Sequence, residues 1–135
     1  MRDDQVRRYA RHILLPDVGG LGQTALLVAA AHLALHEAEP TAELIGACYL
    51  AAGGVGAIHL HGASEAQVAT VAAHGPDTKL TTVAPAGGEP SPRRAAVSLA
   101  PKPPWWPAAD GDATALAFWR GGIAATRWMS DIASR

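Results

Sequence analysis

A strand–helix–strand pattern over residues 32–61 constrains the fold of this chain more than any other feature of the sequence. An apolar strand at 32–35 is followed by a helix at 41–52, which Gly53 closes, and then by a second apolar strand at 57–60. A helix between two strands of this length joins them in parallel through a right-handed crossover. The pattern therefore predicts a small Rossmann-like α/β domain.

The turn before the helix lacks the features of a phosphate-binding turn. Such turns carry glycines, so that backbone N–H groups and the helix N-terminus approach the anion. Here the turn consists of His36, Glu37, Ala38, Glu39, Pro40 and Thr41. A carboxylate about 5 Å from a phosphate repels it by roughly 3 kcal/mol at an effective dielectric constant near 20, which exceeds the usual contribution of a helix dipole. We therefore interpret His36, Glu37, Glu39 and Thr41 as a degenerate nucleotide turn that repels phosphate.

Length and charge exclude several classes of protein. The chain has 135 residues, of which 49% are hydrophobic, and a formal net charge of −1. One domain with a core of small side chains is expected from these values. A balanced charge predicts no nucleic-acid partner and no membrane partner. The first residues contain no apolar signal segment, and the longest apolar run is too short to cross a bilayer, so a cytoplasmic location is expected.

The rest of the chain fits a single three-layer α/β domain with four parts. We assign an N-terminal helical arm to 1–23, an α/β core to 24–100, a Pro/Trp linker to 101–111 and a C-terminal helix to 112–135. Asp3 is expected to cap the first helix of the arm.

Two further strands complete the predicted sheet. Thr and Val content predicts a third strand at 78–83, after a helix that Ser64 caps, and a fourth at 94–99. The result is a mostly parallel sheet of about four strands in the order 3-2-1-4. The C-terminal helix is expected to pack through an apolar stripe at helical spacing, which consists of Phe118, Trp119, Gly122, Ala125, Met129 and Ile132.

Two segments carry a resemblance to a known family. Residues 8–19, Arg-Tyr-Ala-Arg-His-Ile-Leu-Leu-Pro-Asp-Val-Gly, together with Gly22 and Gln23, resemble the opening motif R-Y-x-R-Q-x-x-L-P-E-x-G-x-x-G-Q of the ThiF/MoeB family. Residues 49–58, Tyr-Leu-Ala-Ala-Gly-Gly-Val-Gly-Ala-Ile, resemble the motif Y-L-A-A-A-G-V-G-x-I of the same family. These proteins are adenylyltransferases similar to ubiquitin-activating enzymes. The resemblance covers a little under half of the chain.

The resemblance implies that this chain shares its descent with the family, and the missing residues argue against a shared activity. Family members bind Mg-ATP and adenylate a C-terminal carboxylate, and Arg11 matches an arginine that reaches the triphosphate in the partner subunit. The glycine turn, the ribose-binding aspartate, the catalytic cysteine and the zinc cysteines have no counterpart in this chain. We therefore predict a truncated, degenerate relative without catalytic residues, without a metal and without a cofactor.

The expected function is that of a non-catalytic interaction or scaffold subunit. It would form a homodimer or pair with an active ThiF-like protein, in which case Arg11 acts in trans. Candidate partner-binding residues are the basic and tryptophan side chains Arg7, Arg8, Trp105, Trp106 and Trp128. The tryptophans have a second interpretation, in which they only cover the sheet edge.

The alternative function is a small metabolite-binding enzyme that uses histidines at the strand ends. His59 and His61 alternate along one strand and so share a face, which makes them a candidate metal pair. His32 is expected nearby if the two strands are adjacent. No aspartate or cysteine completes a metal site, so hydrogen-bonded or solvent-facing histidines are the favoured interpretation.

Overall fold

The computed structural model describes residues 1–35, 40–84, 96–106 and 113–135, and it confirms the predicted α/β class. Three parallel strands form the sheet: β1 Ala30–Ala34, β2 Ala57–His61 and β3 Lys79–Val83. The described residues also form six helices: α1 Asp3–Arg8, α2 Ala10–Ile13, α3 Gly19–Val28, α4 Thr41–Ala52, α5 Glu65–Ala72 and α6 Ala113–Ala133. The domain is therefore Rossmann-like, with N-terminal helices and a C-terminal helix.

The sheet has the order β1-β2-β3, as predicted for the first three strands. The predicted fourth strand is only partly visible. Ala96 forms a single parallel bridge with His32, and the backbone N–H of Val97 donates to the carbonyl of His32 at 3.0 Å. This segment thus lies beside β1, on the side away from β2, where the predicted order places it. Arg94 and Ala95 lie outside the described residues.

Helix α4 begins at Thr41 and ends at Ala52, as the sequence predicts. A helix stops readily where glycine follows, and Gly54 adopts a positive φ of 82°. Helix α4 packs so closely on α6 that a Cβ added at Gly121 would lie only 2.2 Å from the carbonyl oxygen of Ala42. The core between these helices and the sheet consists of small and branched apolar side chains, including Leu33, Ala47, Leu50, Ile58, Leu60, Val71 and Ala125.

The buried face of α6 matches the predicted stripe only in part, since Ala125 is buried and Met129 and Ile132 pack against the core. The buried residues are Gly121, Ala124, Ala125 and Trp128. Phe118 is 52% exposed, so the prediction that it packs in the core is wrong. The physical reason is the close approach of α4 at Gly121, which shifts the buried face toward Gly121, Ala124 and Trp128.

The N-terminal arm also differs from its prediction. Arg2, rather than Asp3, occupies the N-cap of α1, and the first predicted helix is divided at Tyr9 into α1 and α2. Helix α3 begins at Gly19 and so includes Gly22 and Gln23 of the first motif. A Cβ at Gly22 would lie 2.9 Å from the Cβ of Ala133 in α6, so the glycine allows α3 to pack on α6. None of the described helices is long and apolar enough to cross a membrane.

Candidate functional site

Three histidines from neighbouring strands lie together on one face of the sheet. His32 is opposite His59, and Ala34 is opposite His61, in the parallel register of β1 and β2. Alternation along each strand places the three imidazoles on the same face. Nδ1 of His32 lies 3.1 Å from Nε2 of His61, and the rings of His32 and His59 stack with centroids 4.4 Å apart. The expected proximity of His32 to the β2 histidines is confirmed.

The surroundings of His32 in this histidine cluster favour its neutral form. Desolvation lowers the pKa of His32, and the neighbouring His59 and His61 lower it further. The contact between His32 and His61 needs one ring nitrogen to donate and the other to accept, which two imidazolium ions cannot do. Among the described residues, no group of three or more His, Cys, Asp or Glu side chains could hold a metal ion. The cluster can therefore exchange hydrogen bonds with a ligand.

The predicted nucleotide turn is described only at its end. His36, Glu37 and Glu39 lie outside the described residues, so the repulsion of phosphate by this turn stays a prediction. Thr41 is exposed at the first position of α4. The backbone N–H of Leu35 donates to the carbonyl of His61 at 2.7 Å, so the chain enters the turn from the same edge of the sheet as the histidine cluster.

The two segments that resemble the ThiF/MoeB motifs pack directly against each other. Buried Gln23 donates from Nε2 to the carbonyl oxygen of Gly53 at 3.1 Å. A Cβ at Gly54 would lie 2.6 Å from Cζ of buried Tyr9 and 2.8 Å from Nε2 of Gln23. In this chain the matching residues thus hold the arm on the turn between α4 and β2.

Asp77 completes this attachment, and sequence reasoning did not single it out. Its side chain is 5% exposed and pairs with Arg2 at 2.8 Å and with Arg8. Gln5 and the hydroxyl of Tyr9 also donate to it, at 3.3 Å and 3.0 Å. Arg8, a predicted partner-binding residue, is therefore engaged within the chain. No local pattern could reveal this, since Asp77 lies far from the arm in sequence.

The N-terminal arm exposes large apolar side chains. We call Leu14, Leu15, Leu21 and Val28 the arm surface. Leu14, Leu21 and Val28 are 81%, 90% and 82% exposed, and Leu15 is 50% exposed. Arg7 and Arg11, from the same arm, are also exposed. A contiguous patch of exposed apolar side chains is typical of a protein-binding face, and of these residues Leu21 and Val28 share one face of α3.

The four tryptophans occupy different environments. Trp105 is exposed and lies 5.8 Å from Trp106 between ring centroids, while Trp119 approaches it edge-on at 6.1 Å. Trp128 instead belongs to the hydrophobic core. Its assignment as a surface residue for a partner is therefore wrong, because the spacing that carries Gly121 and Ala125 inward also carries Trp128 inward. Trp105 and Trp106 stay candidates for a partner contact.

Comparisons with known proteins add no family to this description. No protein-family model matches the chain, and no curated protein matches its sequence. The resemblance to the ThiF/MoeB family thus rests on the two motif segments alone.

Proposed function

We propose that this protein is a non-catalytic relative of the ThiF/MoeB adenylyltransferases that acts as an interaction or scaffold subunit. Two features of the arm support this. The residues that match the first family motif, such as Tyr9 and Gln23, are used for packing. The outer side of the same arm presents apolar side chains to solvent.

The observation that carries the proposal is the joint exposure of Leu21 and Val28 on α3. They are 90% and 82% exposed and stand seven residues apart, which places them on one face of the helix. Covering each such side chain contributes about 1.5–3 kcal/mol. Between them lies Thr24, a small side chain that lets a partner helix approach. This face suits a helix of a second protein.

The partner is either a second copy of the chain or an active ThiF-like protein. In the homodimer, two copies of α3 would pair in antiparallel, with Leu21 of each against Val28 of the other, so that one patch covers itself around a two-fold axis. In the heterodimer, the exposed Arg11 on α2 would extend toward the active partner.

The experiment that tests the proposal is sedimentation velocity over a range of concentrations, on the wild-type chain and on the Leu21→Glu/Val28→Glu variant. We expect a wild-type dimer and a monomeric variant with an unchanged circular dichroism spectrum, since both side chains are exposed. Phe118→Glu is the matched control, because Phe118 is another exposed apolar residue outside the arm. It should leave the dimer intact.

Two results would overturn the proposal. One is a dimer that persists in the double variant but is lost in Phe118→Glu, which would place the interface elsewhere. The other is a wild-type monomer that also fails to bind an active ThiF-like protein in the same experiment. A monomer that binds that protein through Leu21 and Val28 supports the heterodimer.

The histidine cluster favours a second candidate function, a small metabolite-binding enzyme. The observation that supports this candidate is the grouping of His32, His59 and His61 on parallel strands, near the edge where α/β sheets usually bind ligands. Calorimetry with Mg-ATP tests the interpretation of the nucleotide turn, on which the first candidate depends. The interaction subunit is expected not to bind it, whereas micromolar binding would contradict our interpretation of the nucleotide turn and call for an adenylation assay.

A further inference from the structure

A cavity lies between the N-terminal arm and the layer formed by α4 and α6, well away from the histidine cluster. Its volume is about 560 Å³, and its wall includes Leu15, Val18, Leu26 and Met129. Small-molecule sites in proteins are typically cavities of about 300–1,000 Å³, lined by apolar side chains with a few placed polar groups. The size and the wall of this cavity meet that description.

Several polar side chains line the cavity, and among them the ring of His12 is oriented by a contact with buried Gln23. Gln23 must present its amide nitrogen to the carbonyl of Gly53, to which Nε2 donates at 3.1 Å. Its oxygen, Oε1, therefore faces Nδ1 of His12 at 3.2 Å. A carbonyl oxygen only accepts, so Nδ1 of His12 carries a proton, and Nε2 is the acceptor whenever the ring is neutral.

Gln23 is fully buried, and holding a polar side chain there is costly unless its hydrogen bonds are all made. Both of its polar atoms are satisfied, one by the backbone and one by His12. The result is a ring with a fixed tautomer at the wall of an apolar cavity, which is how proteins position a hydrogen-bond acceptor for a ligand.

A carboxylate at the wall limits the ligand further. Asp17 lines the same cavity, and its carboxylate disfavours an anion. An acceptor at Nε2 of His12 needs a donor on the ligand, and the wall around Leu26 and Met129 needs an apolar body. The matching chemistry is a neutral apolar molecule with one hydroxyl group.

We propose that the cavity between α2, α4 and α6 binds a small neutral alcohol or phenol, whose hydroxyl donates to Nε2 of His12. Gln23 acts as a positioning residue, because it fixes the tautomer of His12 and does not itself need to touch the ligand. The cavity shares Leu15 with the arm surface, but its wall does not include Leu21 or Val28, which carry the proposed partner contact.

Nuclear magnetic resonance titration of the full chain tests this with three matched probes: 4-ethylphenol, ethylbenzene and 4-ethylbenzoate. We expect 4-ethylphenol to bind about tenfold more tightly than ethylbenzene, which lacks the donor, and more tightly than the anion. The ring nitrogens of His12 should report the proton on Nδ1 and a shift of Nε2 when the phenol binds.

Two variants and a control separate the ligand's contacts from effects on folding. His12→Phe should remove the preference for 4-ethylphenol over ethylbenzene. Ser130→Trp should weaken both probes, because Ser130 is an exposed residue of the cavity wall that lies outside the His12 relay. His74→Phe, an exposed histidine outside the cavity, should change neither.

The proposal is overturned by any of three results. These are no binding of 4-ethylphenol up to its solubility, equal binding of 4-ethylphenol and ethylbenzene, or binding that Ser130→Trp leaves unchanged. Since Ser130→Trp does not disturb the relay, the last result remains decisive even if His12→Phe fails to fold.

Discussion

The hydroxyl of Tyr9 donates a hydrogen bond of 3.0 Å to the carboxylate of Asp77, although 68 residues separate the two in the chain. Burial raises the pKa of Tyr9 to about 12, and the nearby carboxylate of Asp77 contributes to the rise. The phenol therefore stays neutral and continues to donate throughout the ordinary pH range. This contact fastens the N-terminal arm to the turn that precedes β3, and so keeps the arm surface in a fixed position on the domain.

Asp77→Asn is expected to destabilise the domain by about 2 kcal/mol, because the amide no longer offers the arginines and Tyr9 a charged acceptor. Urea unfolding followed by circular dichroism measures the change. Asp131→Asn is the matched control, since Asp131 pairs with Arg135 on the exposed end of α6. Equal stability of the two variants would contradict a central role for Asp77 in holding the arm.

The same contact makes stability depend on pH at the acidic end. Burial alone would raise the pKa of Asp77, but hydrogen bonds from Tyr9, Gln5 and Arg8 outweigh it and hold that pKa below its usual value. The unfolded chain thus binds a proton at a higher pH than the folded chain does. The contribution is complete above about pH 5 and is lost as the pH falls below about 4. The difference in unfolding free energy between wild type and Asp77→Asn should therefore shrink over that interval.

Gly54→Ala is expected to be far more harmful than Gly20→Ala. Gly54 has a φ of 82°, and an added Cβ would lie 2.6 Å from Tyr9. The variant combines backbone strain with displacement of Tyr9, and we expect a loss of about 2–4 kcal/mol. At Gly20, in the first turn of α3, an added Cβ meets nothing within 4 Å, so alanine should stabilise by up to about 1 kcal/mol. Thermal unfolding measures the stability of both variants. An equal loss of stability in the two would contradict this account.

The sequence predicted the parts of the fold that are determined locally. Helix α4 has its predicted bounds because Pro40 precedes it and two glycines follow it. Ser64 caps α5 as predicted, since its side chain accepts from the backbone of Gln67 three residues later. The order of the first three strands also follows from local pattern, because each crossover between them contains one helix.

The parts that depend on contacts between distant residues could not be predicted in this way. The anchoring role of Asp77 arises from residues at the opposite end of the domain. The inward turn of Trp128 depends on how closely α4 approaches Gly121. The relay from His12 through Gln23 joins three segments, and its residues look like ordinary motif positions until the fold brings them together.

Protonation of the histidine cluster is expected to destabilise the folded chain. The pKa of His32 is lowered in the fold, so the unfolded chain takes up a proton more readily as the pH falls through about 6.5. Unfolding free energy should therefore decrease between about pH 7.5 and pH 5. His32→Phe keeps a ring against His59 and removes the titrating group, so it should make the decrease smaller. His74→Phe, a change at an exposed histidine, should leave this decrease as large as in wild type. A decrease of wild-type size in His32→Phe would contradict the account.

Arg11 is expected to matter for a partner and not for the fold. It is exposed on α2, whereas Arg8 pairs with buried Asp77. Arg11→Ala should therefore leave the melting temperature unchanged, while Arg8→Ala lowers it. If the chain completes the ATP site of an active ThiF-like protein, adding Arg11→Ala instead of wild type should lower the rate of adenylation by about 10- to 100-fold, the effect of losing one charged hydrogen bond in the transition state.

Arg7→Ala is the charge-matched control for that assay, because Arg7 is equally exposed on α1. Adenylation that falls with Arg11→Ala and not with Arg7→Ala would locate the effect at one guanidinium and not in the net charge of the arm. An equal fall in both variants would instead indicate that the arm only attracts the partner electrostatically, which added salt should then weaken. Unchanged adenylation in both would remove the trans-acting role, while the sedimentation experiment on Leu21 and Val28 would still decide whether the chain is an interaction subunit.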